Sequence, residues 1–387
     1  MDAIELAALL VGVALLASVI SVELGVTVAL VELTLGVVVG NVFEVQSQDW
    51  LDFLAAFASV VLTFLAGMEV DPHYLRRRVK AASAIGVVSF AGPFVVASAT
   101  AYLALGWSPK ASLIAGTALS TTSLAVVYAV LVERGLTDTA TGKLLMSATF
   151  VTDLLTAIAL SAIFVQPNLW FPLFLLGSLA LVVVLPTIAP WFFGRYGDRV
   201  IEPEIKLVFA SLLALMVLAD LSGGHAVLPA FVLGLVLSNH YAEHREEQKR
   251  LRVVAFALLT PFFFSKGGLN VSLGAVASNL GLLVALFAAK MVPKIVLVYP
   301  LARRADRPHA VFSTLLMSTG LTFGTIASLY GLNAGIVDRT QFSLLVTVVV
   351  LSAVVPTVIA ERWFQPDVDR LRRLGRRDAY GRAEELV

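Results

Sequence analysis

Chemistry in this chain can be read first from Asp153 and from Lys290 and Lys294. Asp153 stands in Ser147-Ala-Thr-Phe-Val-Thr152-Asp153-Leu-Leu-Thr156, an otherwise apolar stretch. Thr149, Thr152 and Thr156 lie beside it or three or four residues away, which on a helix gathers hydroxyl oxygens around one carboxylate. One carboxylate among neutral oxygens suits a hard monovalent cation and lacks the several carboxylates that calcium takes. Each threonine can equally bond back to its own preceding turn, so a single hydroxyl carries little weight. Lys290 and Lys294 sit one helical turn apart in another apolar run, and either can partner Asp153. A charge at the centre of a bilayer costs at least about 2.5–3.5 kcal/mol, so each such group needs a partner or a purpose.

Two Ser/Thr/Gly clusters accompany these charges: Gly116-Thr-Ala-Leu-Ser120-Thr121-Thr122-Ser123 and Ser318-Thr319-Gly320-Leu-Thr322-Phe-Gly324. Clustered small polar residues weaken a helix, and broken helices in transporters present half-helix ends to an ion. Small residues also allow close helix packing. Glu32 and Lys266 lie within or at the edge of apolar runs; the lysine can snorkel to the interface. His240 and His244 have i, i+4 spacing, but in a charged loop with Glu243 they read as solvated rather than as a metal site. With no cysteine, disulfides, thiolate metal sites and thiol catalysis are excluded. An intramembrane aspartyl protease needs a second membrane aspartate, and Asp220, at the end of a run, is the one other candidate; no Gly-x-Ser-x-Gly or His-Glu-x-x-His motif is present. No enzyme, cofactor or transition-metal site is expected.

The elements that must position these residues follow from composition. Of 387 residues, 58% are hydrophobic and 14% charged, with net charge +1 and mean hydropathy +0.89. Soluble domains carry about 45–50% apolar and about 25% charged residues, so the excess faces lipid. Nucleic-acid binding, secretion and disorder are set aside. A membrane helix takes about 20 apolar residues. Thirteen runs are read near 3–20, 26–43, 50–67, 81–105, 109–132, 143–165, 169–192, 203–220, 225–239, 251–267, 276–302, 309–330 and 341–361. The first lacks a basic flank and begins with Asp2 and Glu5, unlike a signal peptide. Arg76-Arg77-Arg78-Val79-Lys80, His244-Arg245, Lys249-Arg250-Leu251-Arg252 and Arg303-Arg304 fall in the odd-numbered loops, whereas the even-numbered ones hold little beyond Lys110 and Arg339. That bias predicts a multi-pass plasma-membrane protein with its N-terminus outside and its C-terminus cytoplasmic. Residues 363–387 form a short basic tail with Arg370, Arg372, Arg373, Arg376 and Arg377, read as a solvated end or as a stub leading to a regulatory cytosolic domain or subunit.

The chain also repeats itself. Leu30–Asn41 matches Leu228–Asn239, Gly67–Asp71 matches Gly268–Ser272, Leu119–Thr121 matches Met317–Thr319 and Gly135–Asp138 matches Gly335–Asp338, at an offset of 198 to 201. The offset spans seven helices, so the second copy lies upside down in the membrane. Inverted repeats mark secondary transporters, whose site lies where the repeats meet. Run 169–192 then links two six-helix units. Asp153 pairs with Ala353 and Lys294 with Phe94, so each copy supplies one ionisable group that its twin lacks.

Phe64-Leu-Ala-Gly67-Met-Glu69-Val-Asp71, Leu228-Pro-Ala-Phe231-Val-Leu-Gly234-Leu-Val-Leu-Ser238, Leu119-Ser-Thr-Thr-Ser123 and the span with Asp153 together resemble the monovalent cation:proton antiporter superfamily. The nearest branch by these motifs is the second, which holds sodium/proton antiporters and glutathione-gated potassium efflux systems; the resemblance covers about residues 5–362. It implies a homodimer, each protomer an all-α bundle with a scaffold (about 3–43 and 203–239) and a mobile core (about 50–165 and 251–361) containing two crossed broken helices. It makes Asp153 the ion-binding aspartate, and the Lys-x8-Arg run to Arg303 makes Lys294 its basic neighbour in preference to Lys290. Two features depart from the pattern. Electrogenic members carry two adjacent acidic residues, and here Thr152 precedes Asp153; potassium efflux members often carry a nucleotide-binding domain, and none follows within these residues.

The function expected is exchange of Na⁺ or K⁺ for H⁺ by alternating access, with one carboxylate binding either ion in turn, and with the lipid bilayer and a second copy as partners. Another ion-coupled carrier, such as a sodium-coupled organic-anion transporter, is the alternative. A channel would carry a continuous selectivity filter, and no such loop is found.

Overall fold

The computed structural model describes residues 2–366 apart from 44, 46, 47, 69–71, 138, 166, 167, 198 and 244. Glu69, Asp71, Asp138, His244 and the arginines of the tail therefore lie outside the described residues, as do the side chains of Arg76, Arg77, Arg78 and His240.

Every regular element among the described residues is helical. The first half runs α1 (Ala3–Leu24), α2 (Val28–Val42), α3 (Asp49–Met68), α4 (Pro72–Ala99), α5 (Pro109–Ser120), α6 (Leu124–Glu133) and α7 (Ala140–Phe164). After α8 (Phe171–Tyr196) come α9 (Pro203–Ser222), α10 (Val227–Glu243), α11 (Arg245–Val254), a π-helical turn (Ala255–Leu259) and α12 (Thr260–Leu269). The chain ends with α13 (Leu273–Ser278), α14 (Leu280–Ala305), α15 (Ala310–Met317), α16 (Thr322–Asn333) and α17 (Arg339–Trp363). Among the described residues, eleven helical stretches are long and apolar enough to cross a membrane, and two shorter apolar helices, Val28–Val42 and Val227–Ser238, occupy the second and ninth of the thirteen positions expected from sequence.

Local chemistry sets several ends. Asp2 and Glu5 form a capping box on α1, as Asp338 and Gln341 do on α17, and Thr139 accepts from the Gly142 N–H to start α7. The π turn and the short α13 carry no signature in the apolar pattern. Lys266 does not snorkel: it is buried, with its ammonium 2.7 Å from Asp52. Glu32 is buried in α2, and its Oε2 has no hydrogen-bond partner among the described residues.

The repeat shows as two matching crossings. Where α2 meets α12, a methyl group at Gly36 would lie 2.5 Å from the Ser265 carbonyl oxygen, and one at Gly268 would overlap the Leu33 carbonyl. Where α3 meets α10, a methyl at Gly67 would overlap the Phe231 carbonyl and one at Gly234 the Phe64 carbonyl. Gly36 and Gly234 are repeat mates, and so are Gly67 and Gly268. Each repeat thus lays its second helix on the third helix of the other, backbone against backbone, as small residues permit in lipid.

Candidate cation site

Asp153 lies midway along α7 and is 1% exposed, with Thr149, Thr152 and Thr156 all buried around it. Thr152 Oγ1 donates to the Thr149 carbonyl at 2.6 Å and Thr156 Oγ1 to the Thr152 carbonyl at 2.8 Å. Thr149 Oγ1 points to the Met317 sulfur at 3.7 Å. The 152 and 156 hydroxyls are therefore back-bonded, although each oxygen keeps lone pairs for a ligand.

Both Ser/Thr/Gly clusters interrupt a helix, over a shorter length than the sequence suggests. The first stays helical through Ser120 and opens at Thr121–Ser123; the second opens at Ser318–Leu321. Gly116 and Gly324 remain helical because they serve packing. A methyl at Gly116 would lie 2.7 Å from the Phe94 carbonyl, and one at Gly324 3.0 Å from the Ala118 carbonyl.

At each break the last carbonyls of a half-helix lose their intrahelical partners and concentrate partial negative charge. The two lysines of α14 meet them there. Lys294 donates to the Thr121 carbonyl (2.8 Å), the Thr122 hydroxyl (2.9 Å) and the Met317 carbonyl (2.8 Å), which uses all three of its protons. Lys290 donates to the Leu119 and Thr121 carbonyls at 3.1 and 3.2 Å. Its ammonium fits because position 320 is glycine; a methyl there would lie 2.5 Å from Nζ. Ser120, Ser318 and Thr319 are buried at the crossing and bond to carbonyls of their own helices.

A cavity of about 250 Å³ reaches Asp153, and its wall includes Thr27, Leu65, Thr122, Tyr128, Arg252 and Thr322. α6 runs away from the break and α7 returns from Ala140, so Tyr128 flanks the N-terminal half of α7. An aromatic cluster stands at the C-terminal end of α7. The Phe164 ring packs tilted against His225 at 5.3 Å, His225 meets the Tyr330 ring edge-on at 4.4 Å, and the Tyr330 hydroxyl lies 2.7 Å from Ser59 Oγ. Tyr128, Arg252 and the His225 cluster escaped the sequence reading, because their neighbours are brought together from distant helices.

Residues 7–365 match the family model described as sodium/hydrogen exchanger, transmembrane. A probable Na⁺/H⁺ antiporter 3 from Methanocaldococcus jannaschii is 24% identical over 352 residues, covering 85% of this chain and 88% of that one. The Na⁺/H⁺ antiporter NhaS4 from Synechocystis is 27% identical over 343 residues, with 82% of each chain covered. In fold, the chain is similar to the sodium proton antiporter MjNhaP1 from Methanocaldococcus jannaschii at pH 8, with a TM-score of 0.67 and 12% identity over 92% of this chain and 95% of that one. The match spans nearly the whole molecule, and the chain belongs to the sodium/hydrogen exchanger family of membrane transporters, not to a family of enzymes.

Proposed function

We propose that this protein exchanges a monovalent cation, Na⁺ or K⁺, for H⁺, one for one, at Asp153. The observation that carries the reading is a buried carboxylate in the wall of a cavity of about 250 Å³, beside two broken helices whose ends are held by lysines. A carboxylate that takes either a proton or a cation makes the two compete, and exchange follows if only the loaded forms cross. Thr152 supports a neutral cycle, since a hydroxyl beside Asp153 offers no second carboxylate to carry a proton.

The same reading has thirteen spans, an outside N-terminus, a cytoplasmic C-terminus, a plasma-membrane location and a homodimer. Placement in the second branch of the superfamily rests on the motifs around Gly67, Gly234 and Asp153. The cavity then opens to the cytoplasm, because Arg252 lies in the arginine-rich stretch at its wall. The packing favours a smaller moving body than the sequence reading. With α3 fastened to α10 and α12 to α2, the scaffold gains α3 and α12, and the core is α4–α7 with α14–α17.

The decisive experiment is cation-driven proton movement in proteoliposomes, read with a pH-sensitive dye. The wild type should respond to NaCl or KCl with no organic solute present, and Asp153→Asn should not. Near wild-type flux in that variant would end the proposal.

A further inference from the structure

Tyr330 joins the two bodies that the proposed cycle moves past each other. It stands near the end of α16, in the core, and its hydroxyl lies 2.7 Å from Ser59 Oγ on α3, in the scaffold. Ser59 donates its own proton to the Ala56 carbonyl at 2.7 Å, so the Tyr330 O–H is the donor between the two. The Tyr330 ring also meets His225, in the link between α9 and α10, edge-on at 4.4 Å. α3 is packed on α10 and α12, and the reach from α16 is made by the long Tyr330 side chain. One core residue therefore holds two scaffold segments. Leu62 and Leu65 of α3 line the cavity that reaches Asp153, and Ser59 lies one turn before Leu62.

Other contacts cross the same boundary, such as Phe150 on Phe231 at 5.4 Å between ring centres. Apolar surfaces keep their burial as they slide, because the hydrophobic effect has no direction. A hydrogen bond has one partner and a narrow range of distance and angle, so movement of α16 against α3 breaks it. We propose that Tyr330 is a positioning residue that latches core to scaffold in the state whose cavity reaches Asp153, and so sets how readily the site turns to the opposite side of the membrane. This rests on the reading of the core as the body that moves during cation–proton exchange. A hydrogen bond exchanged for water changes an equilibrium by about twofold to twelvefold, and an aromatic pair adds a comparable factor. A latch of that size biases the resting state without trapping it. A site reachable only from a minor state has its apparent affinity reduced by that state's population. The latch should therefore raise the half-saturating cation concentration on the side opposite the cavity and leave the cavity side unchanged.

The test uses the full-length protein in sealed vesicles of both orientations, with Na⁺ or K⁺ titrated on one side at a time and proton flux as the signal. Tyr330→Phe keeps the ring and loses the donor, and Ser59→Ala loses the acceptor on the other body. Each should lower the half-saturating concentration on the side opposite the cavity by about twofold to twelvefold, with the cavity side unmoved. The double variant should shift no further than either single one, because both changes remove the same bond. Tyr330→Leu, which loses the ring contact as well, should shift further. Equal changes on the two sides, no change, or additive shifts in the double variant would overturn the proposal. A second measurement needs no transport. Thr63 is buried one turn beyond Ser59 on α3, and Thr63→Cys supplies a single thiol to a chain that has none. A membrane-impermeant methanethiosulfonate added on the side opposite the cavity should label it faster, by the same factor, when Tyr330→Phe is present. Equal labelling rates would count against the latch as firmly as equal half-saturations. Absence of cation-driven proton flux in the wild type would instead end the exchange reading, and the labelling rates would still decide the role of Tyr330.

Discussion

Lys290 and Lys294, one turn apart on α14, donate to the same oxygen, the Thr121 carbonyl, at 3.2 and 2.8 Å. Their other bonds differ. Lys294 ties the end of one broken helix to the end of the other through Met317, whereas Lys290 bonds only to the first. Lys294→Ala should therefore lower the melting temperature more than Lys290→Ala. It removes the ammonium that joins the two breaks, leaving the Met317 carbonyl to the Thr122 and Ser89 hydroxyls, and a hydrogen bond to a charged group contributes about 1.5–3 kcal/mol. Lys290→Ala leaves Lys294 on Thr121. Equal losses in thermal melts of the two variants would show that the shared oxygen, and not the bridge, matters.

One-for-one exchange moves no net charge. In proteoliposomes clamped with potassium and valinomycin, with sodium as substrate, an imposed voltage should leave the end point of Na⁺/H⁺ exchange unchanged. A voltage-driven shift would mean a second proton moves, and Lys294 would be the first group to examine.

The glycine crossings predict a sharp positional contrast. Gly67→Ala and Gly268→Ala place a methyl on a facing backbone, and such overpacking costs about 1–3 kcal/mol or more. Gly12→Ala, in α1 with no atom within 4 Å of the added methyl, should be neutral or slightly stabilising. Thermal melts of the three variants check this directly.

His225 lies between α9 and α10, and burial pushes its imidazole down from the usual 6.5 to about 4. The Val227 N–H donates to Nδ1 at 3.4 Å, which fits the neutral ring. A group with a depressed pKa stabilises the packed state above its exposed value, and this contribution is lost as pH falls through the buried one. The cluster with Phe164 and Tyr330 should thus be tight above about pH 6.5 and loosen towards pH 4. Tyr330 is the other titratable group in ring contact with His225. Hydrogen exchange across residues 223–227, normalised to the intrinsic rate at each pH, should show protection falling on acidification in the wild type but not in His225→Phe.

The parts of the site legible in the sequence were those where a residue contradicts its surroundings. Asp153 and Lys294 stand out because an ionisable group in an apolar run is costly, and the helix breaks because serine, threonine and glycine cluster at matching positions in both copies. The breaks are shorter than the sequence suggests, since Gly116 and Gly324 look like helix weakeners in sequence but act as contact points in space. Lys266 looked like an interfacial lysine because its partner, Asp52, lies on another helix. Arg252 with Tyr128, and His225 with Tyr330, join residues more than 100 positions apart, and no local pattern announces such pairs.

The glycine crossings also bear on how the molecule is made. Because α2 is seated on α12 and α3 on α10, the first half of the chain cannot complete its packing until the second half has left the ribosome. Gly36 must wait for Gly268, and at about 5–20 residues per second the interval is roughly 10–45 seconds. During that time bare glycine stripes on two inserted helices are open to lipid or to a chaperone of the membrane. Biogenesis should therefore be post-translational in its last step, and two halves cut near α8 and produced as separate polypeptides should be degraded alone but should reassemble when made together.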